Sequence, residues 1–383
     1  MRIFVLGTGA TGSLLAQLLH RQGHEVACGD RDPARARRFL GERPALSVQP
    51  VNARDLWSIV KAARGSQILI NCCPAVFNKV VLRAALRLRC HYLDTAAHLT
   101  GHPFRAEQLR FDDRFRAKHR LAVITAGMAP GLTNLLIAAA ADLLETVETV
   151  QVRLYEETDS DDPVSQWSAE ESFDEATSPP RVYRDGKFTL APRFGEREPF
   201  RFAAPIGAAP VMLAAQDEVV TVPHVLALQA MDAKIGGSDM ERLRRWYRQG
   251  KLRKSRGLVA ARFPRTPTPG TVKRLVAHGV LHNARFAAAV IVHGCKQDRR
   301  IEVRWDVAVP SLALLRKRRV HSTPIAWATA QMASLFVKHL PHRLGGVFPP
   351  EALSVETRRA ILADVRARGI RMTKRVTSGK LEP

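Results

Sequence analysis

The fold of this chain is decided near its start, where residues 2–12 read RIFVLGTGATG. Arg2–Leu6 is a short apolar run that predicts a β-strand. Glycines follow at positions 7, 9 and 12, and Ser13–Gln22 then carries apolar residues at helical spacing. The pattern G-x-G-x-x-G between a strand and a helix is typical of a dinucleotide-binding site.

Each glycine of this loop has a physical task. Gly7 allows the tight turn, Gly9 lets the backbone approach a pyrophosphate, and Gly12 lets the helix pack closely on the strand. The start of the helix offers unpaired N–H groups and a partial positive charge to phosphates. We therefore predict a cofactor-binding loop made of Gly7, Thr8, Gly9, Ala10, Thr11 and Gly12.

An acidic residue stands where it could bind the adenosine ribose. A second predicted strand, Glu25–Gly29, leads into Asp30, 18 positions after Gly12. Its carboxylate would repel a 2′-phosphate, which favours NAD as the cofactor. Arg31 follows directly and could accept that phosphate, so NADP stays possible.

Strand and helix patterns continue to alternate as far as Asp94, which predicts a doubly wound, parallel α/β sheet of the Rossmann type. Strand carboxyl ends line the ligand crevice in such a sheet. The end of the fourth strand is therefore predicted to border the nicotinamide, through Asn71, Cys72, Cys73 and Pro74. The two thiols could be nucleophiles, but no histidine is adjacent in the sequence to activate them. The favoured interpretation is that both cysteines are small neutral residues that pack beside the cofactor.

The fifth predicted strand ends at the candidate catalytic residues. Asp94 could hold a substrate ammonium or take its proton, and Thr95 could orient either group. The alternative is that Asp94 caps the next helix. His98 follows and could be a general base because histidine titrates near neutrality, although a surface histidine is the alternative.

A second loop precedes an apolar helix, Leu135–Leu144. Pro130 and Gly131 before that helix would leave free amide groups for a substrate carboxylate, and Thr133 and Asn134 could add side-chain hydrogen bonds. An ordinary capped helix is the alternative.

Beyond Glu148 the pattern changes to strand-like runs that predict a second, antiparallel-leaning sheet. The acidic stretch Glu156–Asp162 is predicted to be a loop. Lys234 and Arg304 are cations that could bind a distal substrate carboxylate. The strand-like runs are Thr149–Tyr155, Glu218–Pro223, His224–Met231, Val272–His278, Ala287–Val292 and Ile301–Val307.

The chain is strongly basic. Its 383 residues carry a formal net charge of +23, and 46% of them are hydrophobic, which excludes a chain disordered as a whole. Such a charge could attract nucleic acid, and Arg242–Arg256 mixes cations with Trp246 and Tyr247. A second basic cluster is Arg316–Arg319. No nucleic-acid-binding motif accompanies them, so no specific nucleic-acid partner is expected.

The five cysteines are an odd number without CxxC spacing, which predicts reduced thiols and neither a disulfide framework nor a metal site. No apolar stretch approaches the ~20 residues of a membrane span. The amino terminus runs straight into the glycine loop, so no secretory segment is expected. These features predict a cytoplasmic protein.

Three segments together resemble the saccharopine dehydrogenase family: Gly7–Gly12, then Asn71–Pro74 with Cys90–Thr95, and finally Thr125–Asn134. The string A-G-x-A-P-G-[LM]-[ST]-N in the third segment is the most specific. His321–Ala326 and Gly345–Glu351 are similar to the family's closing segment. One departure is Ala330, where the family commonly has glycine.

The resemblance implies an NAD(P)-dependent oxidoreductase that acts at a C–N bond. Its small-molecule substrate would be an amino acid such as lysine, or a saccharopine-like imine adduct. The implied architecture is a Rossmann domain at residues 1–127, an α+β substrate-binding and dimerisation domain with a mixed sheet at 128–322, and a segment 323–383 that returns to the first domain of a homodimer. Two alternatives stay open: a catalytically inactive NAD(P)-binding sensor or scaffold, and a nonspecific polyanion binder.

Overall fold

The computed structural model describes residues 1–41, 46–99, 102–252, 254–255, 258–259, 264–341 and 345–380. The chain divides into two compact units. The first unit consists of Met1–Leu132, Pro267–Arg274 and Ile325–Asp364. The second unit consists of Thr133–Thr266, Leu275–Pro324 and the chain from Val365 onward.

The strands, in chain order, are β1 (Arg2–Leu6), β2 (Glu25–Asp30), β3 (Val48–Pro50), β4 (Ile68–Asn71), β5 (His91–Asp94), β6 (Leu121–Val123), β7 (Thr146–Ser160), β8 (Arg181–Arg184), β9 (Lys187–Leu190), β10 (Glu198–Arg201), β11 (Ala208–Leu213), β12 (Ala230–Gly236), β13 (Lys254–Ser255), β14 (Leu258–Val259), β15 (Leu281–Lys296), β16 (Arg299–Ala308), β17 (Gly346–Phe348) and β18 (Arg371–Lys380).

The α-helices are α1 (Ala10–Arg21), α2 (Pro33–Leu40), α3 (Leu56–Ala62), α4 (Asn78–Leu88), α5 (Asp112–Arg116), α6 (Leu132–Ala141), α7 (Ala169–Thr177), α8 (Ser238–Arg248), α9 (Pro269–Ala277), α10 (Leu312–Lys317), α11 (Pro324–Lys338) and α12 (Val355–Val365). Within the described ranges, none of the helices has both the length and the apolar character that a membrane crossing needs.

A parallel sheet forms the first unit, in the order β17-β6-β5-β4-β1-β2-β3. Every neighbouring pair in it is parallel, as the alternation of strands and helices predicts. Leu6 of β1 lies beside Gly29 of β2 and Asn71 of β4, and Asn71 lies beside Asp94 of β5. The carboxyl ends of these four strands therefore form one row.

The core beneath this row is apolar. Phe4 and Leu69 from the sheet are buried with Ile59 of α3 and Val81 and Ala85 of α4. Val81 and Ala85 are four residues apart, so they lie on one face of the helix. Burying each large apolar side chain contributes about 1.5–3 kcal/mol to folding.

A mixed sheet forms the second unit, in the order β10-β11-β12-β7-β15-β16-β18, with β8 paired to β12 and β9 paired to β8. The pair β7–β12 is parallel, and the other pairs are antiparallel. The predicted fold class, a Rossmann sheet followed by an α+β domain with a mixed sheet, is confirmed.

Two cations lie opposite each other within this mixed sheet. Arg153 of β7 is 1% exposed and pairs in register with Lys234 of β12. Like charges in such a position destabilise a sheet unless they are compensated. Arg153 lies 2.5 Å from an Asp232 oxygen and 3.0 Å from Glu198, and Lys234 lies 2.7 Å from Glu198. The two carboxylates therefore neutralise both cations.

The predicted loop at Glu156–Asp162 is wrong, because β7 continues as far as Ser160. The partner strand β15 is long enough to pair with these residues, so that Phe286 lies opposite Glu156 and Arg285 opposite Glu157. Arg285 also forms an ion pair with Glu157 at 2.5 Å. Cross-strand pairing thus overrides the polar composition of this segment.

Three predicted strands are also wrong. His224–Met231 overlaps β12 only at Ala230 and Met231. Val272–His278 falls largely in the helix α9, and Glu218–Pro223 forms two 3-10 turns, Asp217–Val220 and Val222–His224. Both sequences are rich in valine, which favours strands. Pro269 at the first position of α9 is instead typical of a helix start.

The last segment of the chain is divided between the units. Ile325–Asp364 groups with the first unit, and β17 extends the parallel sheet there. β18 pairs with β16 in the mixed sheet of the second unit, from Arg371 to Lys380. The described part before Val365 thus groups with the first unit and the part from Val365 onward with the second, and the domain bounds 1–127, 128–322 and 323–383 stay a prediction.

The Arg153 cluster yields a stability prediction. Replacing the buried Arg153 with methionine removes the main partner of the half-buried Asp232 and a partner of Glu198, so we expect the free energy of unfolding to fall by about 3 kcal/mol. Arg184→Met is the matched control, because Arg184 pairs with Glu196 at a half-exposed position. Its expected cost is below about 1 kcal/mol. Urea denaturation measures both; equal losses would contradict the assignment.

Candidate functional site

The glycine loop lies where β1 leaves the parallel sheet. Gly7 has φ +88°, and a Cβ there would lie 2.7 Å from the backbone of Cys72. A Cβ on Gly12 would lie 2.0 Å from the Gly7 carbonyl oxygen. Gly9 differs from both, since a Cβ built there meets no described heavy atom within 4 Å. Two glycines are therefore required by backbone packing, and the third faces open space.

The start of α1 suits an anion. Gly9 is the N-cap residue and supplies no side-chain cap, and the first turn, which the structure describes completely, holds no acidic residue. The first amides and the helix dipole are thus left for a negatively charged group. This arrangement fits the pyrophosphate of a dinucleotide, with Thr8, Ala10 and Thr11 completing the loop.

Asp30 shapes the same loop. One carboxylate oxygen accepts a hydrogen bond from the Thr8 amide at 2.8 Å, and the other accepts from the Asp32 amide at 3.0 Å. A carboxylate has about four lone-pair positions, so both oxygens can still accept from a ribose hydroxyl. Arg31, beside it, is exposed.

The segment after β4 is held by amide bonds. The Asn71 side-chain oxygen accepts from the Cys73 amide at 3.1 Å, and its nitrogen donates to the Asn78 side chain at 2.8 Å. Burial raises the pKa of Cys72 to about 12 and that of Cys73 further. Both thiols are therefore protonated at neutral pH, which disfavours a nucleophilic role. Pro74 leads into a short 3-10 turn.

Asp94 lies at the centre of a buried polar network and is 1% exposed. One oxygen accepts from the Thr125 amide at 2.8 Å, and the other accepts from the Tyr92 hydroxyl at 2.9 Å and from the Gln108 side chain at 3.1 Å. Burial raises the pKa of Asp94 to about 7, against the opposing effect of these donors. These hydrogen-bond donors come from three different segments of the first unit. The alternative hypothesis, that Asp94 caps the next helix, predicts donors on that helix instead.

The network extends from Asp94 to the neighbouring side chains. The Asn78 side chain donates to the Ala96 carbonyl at 2.8 Å, and Gln108 donates to the same carbonyl at 3.0 Å. Tyr92, Asn78 and Gln108 were absent from the sequence-based candidates. Their signal in the sequence is weak, since it consists only of polar residues between apolar neighbours.

Thr95 and His98 are only partly buried. The His98 amide donates to the Gln108 side-chain oxygen at 3.2 Å, and the His98 carbonyl accepts from the Glu107 amide at 2.9 Å. The network thus fixes the backbone of His98.

The loop before α6 is anchored to β5. The Ala126 amide donates to the Asp94 carbonyl at 2.8 Å, and the Gly127 amide donates to the Pro130 carbonyl at 3.1 Å. The Ala129–Pro130 bond is cis, and Gly131 has φ +132°. A Cβ on Gly131 would lie 1.9 Å from the Gly127 oxygen, so no other residue fits this turn.

The predicted substrate residues after this loop have internal partners. Thr133 donates to Glu218 at 2.6 Å, and Asn134 donates to Thr221 at 3.2 Å. Both side chains are fully buried within the second unit. They therefore anchor α6 to the 3-10 turns that follow residue 216.

Lys234 and Arg304 are neutralised in the second unit. Lys234 bonds to Glu198, as described above, and Arg304 donates to Asp306 at 2.8 Å and to the Arg201 carbonyl at 2.7 Å. Their strands, β12 and β16, are separated by β7 and β15. Three strand spacings amount to about 14 Å, so the structure does not bring the two cations together.

The first basic cluster, Arg242–Arg256, is only partly described, because Arg253 and Arg256 lie outside the described residues. On α8, Arg242 pairs with Asp239 at 2.8 Å and Arg244 pairs with Glu241 at 3.4 Å. Part of the first cluster is thus internally compensated.

The departure at Ala330 has a simple structural setting. Ala330 is fully buried in the interior of α11. Alanine is favoured over glycine by about 1 kcal/mol at such a position. The substitution therefore fits the helix that contains it.

Comparisons with known proteins agree with this geometry. Residues 3–123 match the family model described as the saccharopine dehydrogenase NADP binding domain. Apo saccharopine dehydrogenase (L-Glu forming) from Saccharomyces cerevisiae is similar in structure, with a TM-score of 0.69 at 12% sequence identity; the match covers 98% of this chain and 99% of that chain. That similarity shows the fold.

Two further solved structures match with a lower TM-score of 0.43 and 12% identity each. One is a probable dehydrogenase from Thermotoga maritima, where the match covers 98% of both chains. The other is GenD2 from gentamicin A biosynthesis in complex with NAD, where it covers 98% of this chain and 96% of that chain.

The three glycines yield a prediction that separates folding from binding. Gly9→Ala should leave the free energy of unfolding within about 0.5 kcal/mol of wild type and weaken NADH binding about 10-fold, because the methyl group enters only the open side of the loop. Gly12→Ala should lower stability by roughly 3 kcal/mol because of the backbone clash. Urea denaturation and NADH fluorescence titration measure these effects. Unchanged NADH affinity in Gly9→Ala would contradict the site.

Asp94 yields a prediction about pH. Its pKa of about 7 exceeds the value in an unfolded chain, so the folded state binds the extra proton and this group's contribution to stability falls as pH rises through that window. Three pKa units correspond to a loss on the order of 4 kcal/mol. The Asp94→Asn variant should not lose stability in this way, because asparagine does not titrate. Unfolding measured at acidic and alkaline pH should show wild type losing stability relative to the variant; a constant difference would refute the shift.

Proposed function

We propose that this chain is an NAD(P)-dependent oxidoreductase that transfers hydride at a C–N bond. The proposal is supported by the resemblance to the saccharopine dehydrogenase family, which is confirmed in the NADP-binding domain and in the fold. The substrate would be an amino acid or an imine adduct, similar to lysine or saccharopine. The observation that carries the proposal is the open Gly9 at the uncapped start of α1, within the matched domain.

The cofactor would be held by residues of the first unit. The amides of the loop Gly7–Gly12 would bind its phosphates, and Asp30 would bind the adenosine ribose. When bound, the nicotinamide ring supplies or accepts the hydride. Asn71, Cys72, Cys73 and Pro74 would border that ring, and their protonated thiols add no competing nucleophile. Because Asp30 disfavours a 2′-phosphate, we propose NAD as the preferred cofactor.

The three candidate catalytic residues divide into two roles. Asp94 is buried, and both of its carboxylate oxygens accept hydrogen bonds. We therefore assign it a positioning role for the Thr125–Gly131 loop and for the 3-10 turn Glu107–Phe111, which contains Gln108. Thr95 and His98 retain partial exposure. We propose that Thr95 orients the substrate amine and that His98 exchanges the proton of that amine, since an imidazole can both accept and donate a proton.

The substrate-contacting backbone would be the turn at Pro130 and Gly131, which Asp94 fixes through Ala126. Thr133, Asn134, Lys234 and Arg304 already have protein partners. A substrate group would have to compete with those partners, so we give these four side chains a supporting role in shaping the second unit.

A substrate panel tests the function. The full chain is incubated with NAD or NADP and with lysine, saccharopine or simple diamines, and absorbance of the reduced nicotinamide is followed. We expect turnover of at least one amine, with NAD favoured. His98→Ala should lower kcat about 100-fold while leaving NADH affinity unchanged, because only the proton transfer is lost.

His102→Ala is the matched control, since His102 lies nearby on the same segment and is exposed. It should leave kcat unchanged. Cofactor binding without turnover of any amine would overturn the proposal and favour a nucleotide sensor. Equal kcat for wild type and His98→Ala would remove the role of His98.

A further inference from the structure

The second unit contains an acidic pocket, although the chain as a whole carries a net charge of +23. The pocket belongs entirely to that unit, and three elements supply its carboxylates: β7 provides Glu156, α7 provides Glu175 and α8 provides Asp239. The remaining lining residues are Ser165, Gln166, Trp167, Ser172, Arg242, Leu243, Trp246 and Pro264.

One of the three carboxylates is compensated. Asp239 forms an ion pair with Arg242 at 2.8 Å and accepts a hydrogen bond from the Thr158 hydroxyl at 2.7 Å. Within the described ranges no ion pair reaches Glu156 or Glu175. Glu175 accepts a hydrogen bond from the Gln216 side chain at 2.7 Å, and the side chain of Trp167 lowers the pKa of Glu156 against the effect of burial. Arg242, which also lines the pocket, acts on Glu156 through its charge, and its buried Nε has no described acceptor. Among the described residues, no cation acts in this way on Glu175.

Gln166 provides an independent observation. Its side chain is 2% exposed, and its nitrogen donates to the Glu157 carbonyl at 3.0 Å, the Arg285 carbonyl at 3.2 Å and Asp239 at 3.3 Å. Three acceptors around one atom fix it as the NH₂ group. The side-chain oxygen of Gln166 then has no described donor, although it is buried at the pocket. A buried acceptor of this kind needs a donor.

The size of the pocket limits its occupant. The space open to the centre of a water-sized group is about 20 Å³, which is room for one such group. Among the described side chains, no three of the types that bind metals are close enough to share an ion. Only the ammonium group of an alkylamine fits this space, so its alkyl stem would have to leave the pocket past apolar lining residues such as Trp167, Leu243 and Trp246. A primary ammonium has the required size, charge and donors, whereas water lacks the charge.

We propose that this pocket binds the primary ammonium group of an alkylamine, with Glu156 and Glu175 balancing its charge and the Gln166 oxygen accepting one of its hydrogen bonds. The assignment of that amine as the substrate rests on the proposed function. The binding of the amine does not, because it involves only residues of the second unit.

Binding should be coupled to proton release. Burial raises the pKa of Glu156 to about 8 and raises that of Glu175 well above its usual range, so protons compete with a bound cation for this pair. An entering ammonium favours their ionised forms. Affinity should then rise with pH above neutrality, while the amine keeps its charge up to about pH 10. The charged groups that face this pair are Asp239, Arg242, Asp217 and Glu218.

Calorimetric titration of the full chain with n-pentylamine tests the site, in two buffers of different ionisation enthalpy. We expect saturable binding with net proton release. Pentyltrimethylammonium and 1-pentanol should bind at least about 10-fold more weakly, because the first is too large for the pocket and the second has no charge. Equal binding of all three compounds, or no binding of pentylamine, would overturn the proposal.

Glu156→Gln is the decisive variant. Glutamine has the shape of a protonated carboxyl group, so the fold should be retained, which thermal unfolding checks. The variant should bind pentylamine about 10-fold more weakly and release fewer protons. Asp174→Asn, an exposed change on α7, is the matched control and should bind as wild type does. Wild-type affinity in Glu156→Gln would refute the site.

NADH titration of the same samples separates this inference from the proposed function. Pentylamine binding that depends on Glu156 in a chain that neither binds NADH nor turns over amines would sustain the pocket and reject the oxidoreductase. Turnover with undiminished pentylamine binding in Glu156→Gln would sustain the oxidoreductase and reject the pocket.

Discussion

The close approach of the glycine loop to the end of β4 is the constraint on which the first unit depends. Gly7 turns against the backbone of Cys72, and Gly12 packs against Gly7, in both cases without room for a side chain. This contact fixes α1 against β1 and sets the row in which Leu6 lies beside Asn71. The row then places Asp94 one strand further on, so the polar groups of three strands meet at one edge.

Every buried polar group at that edge needs a hydrogen-bond partner, because an unpaired one would lower the free energy of unfolding more than its replacement by an apolar group. Asp94 meets this requirement with donors from β5, from the turn at Gln108 and from Thr125. Its carbonyl also holds Ala126, so one residue positions the backbone on both sides of the sheet end. A buried carboxylate with this many partners fixes the backbone of its neighbours, whereas Thr95 and His98 are partly exposed and keep the catalytic roles proposed above.

Local signals in the sequence predict the first unit well, because a glycine loop, a strand period and a helix period are each contained in a short segment. The second unit depends on partners that are distant in the chain. β7 extends through Glu156–Ser160 only because β15, more than 120 residues later, pairs with it. For the same reason Lys234 was a plausible ligand residue in isolation, whereas Glu198 and Arg153 make it part of a buried ion network. The site residues Tyr92 and Gln108 are recognisable only once β5 and the turn are side by side.

The net charge of the chain and the charge of its acidic pocket act over different distances. A charge of +23 produces a field that extends to about the Debye length of 8–10 Å, where it attracts an anionic dinucleotide and repels an amine. Inside the pocket the low dielectric makes short-range attraction by Glu156 and Glu175 the stronger effect. An amine therefore gains its binding energy only after it has lost its water and entered. The pocket therefore selects cations by their size and by their hydrogen-bond donors. A cation that is too large to enter experiences only the long-range repulsion by the net positive charge of the chain.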